Sequence, residues 1–333
     1  MLTILIVVIV VALIFDMING FHDTANAIAT VVATGVLHIR AAILIAAGLN
    51  FLGALSGTAV AGTVGKDVLN PGYVSQVSVL AALLGAIIWN LITWYRGIPS
   101  SSSHALFGGL IGSAIVKSGT VAVKWAGLLK IVLFLVISPL VGFVLAMIFM
   151  VIITWVCHRS NPSKLSRPFR FLQLCSASFM AYAHGSNDAQ KTMGVITMAL
   201  VAAGIIHSAN GKFPVPIWVM CACATAMCIG TAMGGKKIIK TMGCKIIDLK
   251  PAHGFASEMG AALTIVSATH AGLPLSTTHV ITGSVMGVGA VKDAAAVKWG
   301  VTTRIVWAWI LTLPLSAIVA GICYWVLRPI LGN

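Results

Sequence analysis

The sequence predicts an all-α polytopic membrane protein made of two homologous repeats, with broken helices and two re-entrant hairpins. Three observations carry this expectation. Of 333 residues, 59% are hydrophobic and only 8% charged, where a soluble domain carries about 25% charged residues; the mean hydropathy is +1.02. Long uncharged stretches recur, and a helix needs about 20 apolar residues to cross a bilayer. Finally, the second half of the chain repeats the polar motifs of the first.

Taken in order, the chain opens on Met1–Phe15, an apolar run with neither a basic start nor a small-residue cleavage site, so it is read as a first span rather than a signal peptide. Further stretches follow at Ala41–Gly65, Val68–Tyr95, Ile131–Cys157, Phe171–Asn187, Thr192–Gly211, Phe213–Gly235, Met259–Val291 and Ile305–Leu327. No soluble domain of any size is expected. The division is 1–157 as the first transmembrane repeat, 158–170 as a basic cytoplasmic linker and 171–333 as the second repeat.

The net charge of +14 does not point to nucleic acid, because the basic residues fall between spans. Arg159, Lys164, Arg167 and Arg170 lie in the central loop, and Lys236, Lys237, Lys240, Lys245 and Lys250 further on. Short basic loops of this kind mark the cytoplasmic side. The expected partners are therefore the lipid bilayer and a small solute, with no nucleic acid; a homo-oligomer is compatible with this reading. Cys157, Cys175, Cys221, Cys223, Cys228, Cys244 and Cys323 show no C-x-x-C spacing and are read as small apolar residues.

Duplication appears in four blocks in the same order. P-S-S-S-S-H-A-L-F-G-G (99–109) falls on P-L-S-T-T-H-V-I-T-G-S (274–284). V-K-W (123–125) falls on V-K-W (297–299), and G-T-A (57–59) on G-T-A (230–232). G-F-H-D-T-A-N (20–26) falls on G-S-N-D-A-Q-K (185–191), which sets Asp23 on Asp188, His22 on Asn187 and Asn26 on Lys191. A duplicated membrane chain suggests a secondary transporter, with its site near the midplane where the repeats meet.

The costly residues narrow the site. The seven acidic residues are Asp16, Asp23, Asp67, Asp188, Asp248, Glu258 and Asp293; Asp67, Asp248 and Asp293 sit beside lysines and are expected in loops. A carboxylate at membrane depth costs about 3 kcal/mol by insertion scales and normally faces a cavity, a partner or an ion. Asp23 and Asp188, each after a glycine and beside amides, predict helix breaks at Gly20 and Gly185 that present oxygen ligands. Such ligands suit a proton, Na⁺ or Mg²⁺ rather than a soft transition metal. Taken singly, each aspartate reads as a helix cap or, for Asp188, a buried pair with Lys191. Asp16 reads most simply as a cap or pairing residue at the first break, and Glu258 as an interfacial residue or a member of the site.

The second duplicated element, Ser101, Ser102 and Ser103 with Ser276, Thr277 and Thr278, follows a proline in each copy. Proline and hydroxyl residues favour helix starts, so hairpins are expected at 99–116 and 274–291, with Gly108, Gly109, Gly112, Gly283, Gly287 and Gly289 allowing close packing. Two helix N-termini carrying six hydroxyls form an expected site for a tetrahedral oxyanion, with no Arg or Lys buried in it. Hydrogen phosphate can donate its proton to Asp23, Asp188 or Glu258, whereas sulfate has none to give, and sites built on such bonds discriminate strongly.

These motifs, G-F-H-D-T-A-N-A-I-A-T, G-S-N-D-A-Q-K, P-S-S-S-S-H and H-G-F-A-S-E followed by G-L-P-L-S-T-T-H, resemble those of the PiT family of inorganic phosphate transporters along essentially the whole chain. The resemblance implies a cation- and phosphate-handling role for Asp23, Asn26, Asn187 and Asp188, a phosphate role for Ser101–Ser103 and Ser276–Thr278, and importance for Glu258. His22 and Asn50, where animal relatives carry Asn and an acidic residue, place the chain nearer the bacterial low-affinity branch. That branch implies a symporter in the cytoplasmic membrane, coupled to H⁺ or to Na⁺, with Mg²⁺ travelling as a metal–phosphate complex in one version. His22 suits a proton role, since its ordinary titration falls near physiological pH; the alternative is a neutral histidine capping the break.

Other classes compete. Sulfate or another oxyanion is the substrate alternative. An intramembrane hydrolase has Ser, His and Asp to draw on, but a triad is one asymmetric set, whereas every candidate here comes in duplicate, and no G-x-S-x-G elbow is present. A channel is opposed by an occluded site between repeats. No enzyme activity and no cofactor beyond the coupling ion are expected. Family resemblance implies inverted repeats, and hence an odd number of crossings per half. Two cytoplasmic basic loops at 158–170 and 236–250 require an even number between them, so whether Phe171–Gly211 crosses once or twice is left open.

Overall fold

The computed structural model describes residues 2–207, 213–244, 246–292 and 297–332. Lys245 and Asp293, assigned above to loops, lie outside them. The described residues form two series of six helices. The first holds α1 (Leu2–Ala33), α2 (Ile39–Ala54), α3 (Ala59–Asp67), α4 (Gln76–Arg96), α5 (Ser102–Ser118) and α6 (Trp125–Cys157). The second holds α7 (Pro162–Ala202), α8 (Ile217–Met233), α9 (Lys236–Cys244), α10 (Pro251–His270), α11 (Thr277–Lys292) and α12 (Trp299–Leu331). The stretch expected as a linker, 158–170, is only partly one, since α7 already carries Arg167 and Arg170.

The expected breaks at Gly20 and Gly185 are absent: α1 runs unbroken through G-F-H-D-T-A-N and α7 through G-S-N-D-A-Q-K. A glycine inside a helix costs only about 1 kcal/mol relative to alanine, and here each one marks a crossing. A Cβ on Gly20 would meet the backbone of Met227 and Thr231 on α8, and one on Gly185 would meet the backbone of Asn50 on α2. The continuity of α7 also answers the question left open: Phe171–Asn187 and Thr192–Ala202 are one helix, about 60 Å long at 1.5 Å per residue.

The true bends lie elsewhere. The single span expected at Ala41–Gly65 is α2 and α3, bent by 67°, and α8 meets α9 at 79°. Met259–Val291 is divided by the turn at 271–276 into α10 and α11. The hairpins expected at 99–116 and 274–291 do not form within those segments: each is a short loop and a single helix, α5 or α11, packed on the helix before it, α4 or α10. Among the described residues four helices are long and apolar enough to cross a membrane singly, or up to six spans result if each bent pair counts as one.

The repeats are inverted. Thr192 on α7 donates to Asp16 on α1 at 3.0 Å, while Thr34, just past the C-terminal end of α1, donates to Gln173 near the start of α7 at 2.8 Å. Helices that correspond in sequence therefore run antiparallel in space. The halves also interlock, with α5 packed on α12 and α11 on α6. Gly108 sits against Leu313 and Ser316, and Gly283 against Pro139, so the expected close packing of these half-helices occurs between halves.

Burial is inverted relative to a soluble protein. Leu129, Leu133, Leu140 and Trp155 on α6, with Trp307, Ile318 and Trp325 on α12, are exposed, while Asp16, Asp23, Asp188, Lys191 and Glu258 are buried. An apolar exterior around a polar interior is what a lipid solvent selects, and the chain is a multi-pass membrane protein.

Candidate functional site

The site is built where α1 and α7 cross, with the N-termini of α5 and α11 aimed at the crossing. Because both long helices are continuous, their polar residues act through helical spacing. His22, Asp23 and Asn26 fall on one side of α1, and His184, Asp188 and Lys191 recur at i, i+4 and i+7 along one face of α7. All are buried, with Asp23 at 3% and Asp188 at 1% exposure.

The two hydroxyl loops contribute unequal members. Ser101 and Ser276 are helix caps, their Oγ atoms accepting from the backbone N–H of His104 at 3.2 Å and His279 at 3.3 Å. The commonest reading of a serine run is thus right for these two. The residues after them reach the crossing. Asn26 Nδ2 donates to Thr278 Oγ1 at 2.9 Å and to Thr277 Oγ1 at 3.2 Å, and Thr277 donates in turn to Asp188 Oδ2 at 2.9 Å. Symmetry supplies the mirror contact: Lys191 Nζ donates to Ser103 Oγ at 2.6 Å. Ser102 Oγ, the counterpart of Thr277, has no partner among the described residues.

Here one expectation is corrected. The oxyanion site was expected to hold no buried lysine, yet Lys191 is 2% exposed and its ammonium binds Asp188, Ser103 and the Leu275 carbonyl oxygen, the last at 2.7 Å. In sequence a buried Asp188–Lys191 pair reads only as the alternative to a functional aspartate; the intact helix sets the two one turn apart, and the pair lies inside the hydroxyl site rather than in place of it.

His22 spans Asp23 and the α4–α5 turn. Its Nδ1 donates to Asp23 Oδ1 at 2.6 Å, and its Nε2 lies 3.1 Å from Thr93 Oγ1 and 3.3 Å from Ser100 Oγ. Its counterpart Asn187 donates to Thr269 on α10 at 2.8 Å. His184 was not singled out by sequence. Its Nε2 lies 3.2 Å from Asp188 Oδ2, and its Nδ1 3.1 Å from Asn50 Oδ1. One ligand atom each from Asp23, His184 and Asp188 fall within 4.8 Å of one another, a trio able to hold a cation. The donor set is therefore a histidine nitrogen with carboxylate oxygens, not oxygen alone. The usable signal for His184 was its i, i+4 spacing to Asp188.

Glu258 forms a separate cluster. Thr30 donates to its Oε1 at 2.5 Å, Gln173 donates to the same atom at 3.1 Å, and Ser176 donates to Oε2. Thr30 lies about 10 Å along α1 from Asp23 at 1.5 Å per residue, so Glu258 is not brought to the Asp23–Asp188 pair. Asp16 is not a cap but a buried mid-helix carboxyl held by Thr192. Where the hairpin tips meet, the rings of His104 and His279 are 4.5 Å apart, and His279 stacks on Trp309 at 3.8 Å. A small cleft of about 80 Å³, lined by Ser186, Gln190, Thr269 and His270 among others, reaches the outer side of the Asn187–Thr269 contact.

Comparison with known proteins adds to this geometry. A sequence model described as the phosphate transporter family matches residues 19–320. A Bacillus subtilis protein named a probable low-affinity inorganic phosphate transporter is 48% identical over 332 residues, which cover 99% of each chain. A Rhizobium meliloti protein of the same name is 47% identical over 317 residues, 95% of this chain and 94% of that one. A solved structure titled the sodium-dependent phosphate transporter superposes with a TM-score of 0.92 at 27% identity, covering 99% of this chain and 100% of the other.

Proposed function

This chain belongs to the phosphate transporter family, and from that premise we propose that it is a symporter that carries inorganic phosphate across the cytoplasmic membrane together with a proton or Na⁺. The hydrolase alternative falls away, since the relatives matched along the whole chain are named as transporters.

The observation that carries the reading is a charge imbalance at a closed crossing. Asp23 and Asp188 stand opposite one another with a single ammonium, Lys191, between the halves, which leaves one negative charge in excess when the histidines are neutral. Two carboxylates at that separation repel by about 3–4 kcal/mol at an effective dielectric near 20. An incoming hydrogen phosphate would add to this repulsion. A cation binding at Asp23, Asn26, His22 and Asp188, whether a proton or Na⁺, neutralises the excess and makes phosphate binding affordable. Co-transport follows from electrostatics.

Phosphate then docks against the hydroxyls and free N–H groups of Ser102, Ser103, Thr277 and Thr278 at the two helix starts, while Ser101 and Ser276 hold those starts in shape. A carboxylate or His22 takes the proton that hydrogen phosphate offers, which favours phosphate over sulfate. Because the site is buried on every side, loading from either face requires one half to move against the other. Antiparallel, interlocked halves give such motion two related end states. The Glu258 cluster, away from the paired aspartates, serves as a second proton-holding carboxyl beside the α1–α7 crossing. Travel as a Mg²⁺–phosphate complex is a version of the same scheme in which the metal is cargo.

The test is labelled-phosphate uptake into proteoliposomes under a pH gradient or a Na⁺ gradient, with and without Mg²⁺ and with excess sulfate. Uptake should require one of the two gradients, resist sulfate, and fall at least about 100-fold in Asp23→Asn, the order expected for loss of an essential charged group. Full uptake in Asp23→Asn and Asp188→Asn together would remove the site.

A further inference from the structure

We propose that the Lys191 ammonium is a tethered cation, filling in the second repeat the place that a mobile cation takes in the first, so that this chain binds one mobile cation fewer than its two-fold architecture would allow. The proposal rests on the cation–phosphate reading above and adds the number of coupling ions to it.

Lys191 stands on Asn26 when the repeats are aligned, and both side chains reach the equivalent hydroxyl, Thr278 for Asn26 and Ser103 for Lys191. The difference lies in the charge. An ammonium has three donors and no acceptor, and all three are engaged: by the Asp188 carboxylate, by the Ser103 hydroxyl and by the Leu275 carbonyl oxygen. A carboxylate, a hydroxyl and a backbone carbonyl are the oxygen ligands that a hard monovalent or divalent cation takes. The ammonium is thus held as a bound metal ion would be, but on a covalent leash.

The first repeat shows the opposite condition. Asn26 brings no charge, and its Oδ1 has no partner among the described residues; neither has Ser102 Oγ, nor Oδ1 of Asn19, which is one turn before Asp23. All three residues are at most 3% exposed. Unpartnered buried oxygens cost about 1–3 kcal/mol each, and a bound cation beside Asp23 would relieve them. In the second repeat Asn187 Oδ1 is unpartnered as well, but the charge of Asp188 is met by the chain's own ammonium.

The experiment compares wild type, Lys191→Asn and Lys191→Gln, reconstituted as full chains, by equilibrium binding of ²²Na⁺ and by labelled-phosphate uptake at fixed pH with varied Na⁺. Wild type should bind no more than one Na⁺ per protomer. The variants should bind one more than wild type, and their uptake should rise at least about tenfold as Na⁺ is added, a factor equivalent to about 1.4 kcal/mol. Two or more saturable Na⁺ ions on wild type would overturn the proposal without any variant having to fold. So would folded variants that gain no Na⁺ and show only a raised KM for phosphate, because then Lys191 holds the anion instead. Absence of phosphate uptake by wild type would sink the transport reading while the binding counts still decide the role of Lys191.

Discussion

The polar segments of α1 and α7 are copies of one design in which the glycine and the aspartate are kept, and two of the differences change what surrounds the aspartate. Around Asp23 the copy carries His22 and Asn26; around Asp188 it carries Asn187 and Lys191. The backbone frame is the same in both: a continuous helix, a glycine crossing against the second helix of the other half, and a hydroxyl-bearing helix start at contact distance. Only the charge state differs. The second copy is neutralised by its own lysine, and the first is left with an uncompensated carboxylate beside a histidine. An inverted duplication thus supplies two equivalent places, and substitution within one of them converts a symmetric pair into a fixed half and a responsive half.

The widest split is expected between the two aspartates. Asp188→Asn leaves the Lys191 ammonium buried without its carboxylate, a loss of about 3–5 kcal/mol, so the detergent-solubilised variant should melt well below wild type. Asp23→Asn removes one of two facing carboxylates and should melt at or above wild type. Equal melting points for the two would break the comparison, and the double variant Asp188→Asn/Lys191→Asn should recover most of the lost stability.

A smaller effect separates the histidine from its counterpart. His22→Asn makes the first copy resemble the second at that position and removes the ring that joins Asp23 to Thr93 and Ser100. Uptake should persist, while its response to a pH gradient at constant Na⁺ falls by about 100-fold, the lower end of the range for loss of a proton-transferring group. An unchanged pH response would leave His22 as a structural link only.

The smallest contrast is within one loop. Ser103 accepts from Lys191 and donates to the Leu275 carbonyl oxygen at 3.1 Å, so Ser103→Ala should cost about 1–3 kcal/mol in thermal unfolding, as for a buried donor left unsatisfied. Ser102 Oγ has no partner among the described residues, so Ser102→Ala should leave stability within about 0.5 kcal/mol and raise the KM for phosphate instead. A reversal of these two outcomes would mean that the loop faces the site with the other hydroxyl.

Much of the site could be read from the chain because its residues are expensive. Asp23 and Asp188 stand out in an apolar sequence, and repetition of their surroundings removes chance as an explanation. The hydroxyl runs were legible for the same reason. What could not be read was the local consequence of glycine. Gly20 and Gly185 were equally consistent with a broken helix and with a close helix crossing, since both need a residue without a side chain. That ambiguity hid His184, which does not share a face with Asp188 if α7 is broken at Gly185; the Asp188–Lys191 pair was legible, but not that its ammonium also reaches Ser103 of the hydroxyl loop. Glu258 shows the converse limit. It is as conspicuous in sequence as the aspartates, but its partners Thr30, Gln173 and Ser176 come from α1 and α7 at a different depth.

By itself, the sequence determined the solvent, the duplication and the chemical types gathered at the site, because the cost of burying charge in lipid and the repetition of motifs are properties of residue order alone. Only the tertiary structure decided which glycines are crossings, how the antiparallel halves pack, and that the Asp188–Lys191 pair sits inside the hydroxyl site. Those depend on how the long helices pass their neighbours: a shift of α7 by a single helical turn would leave Lys191 beside Asp188 on its own helix but part its ammonium from Ser103 and the Leu275 carbonyl oxygen.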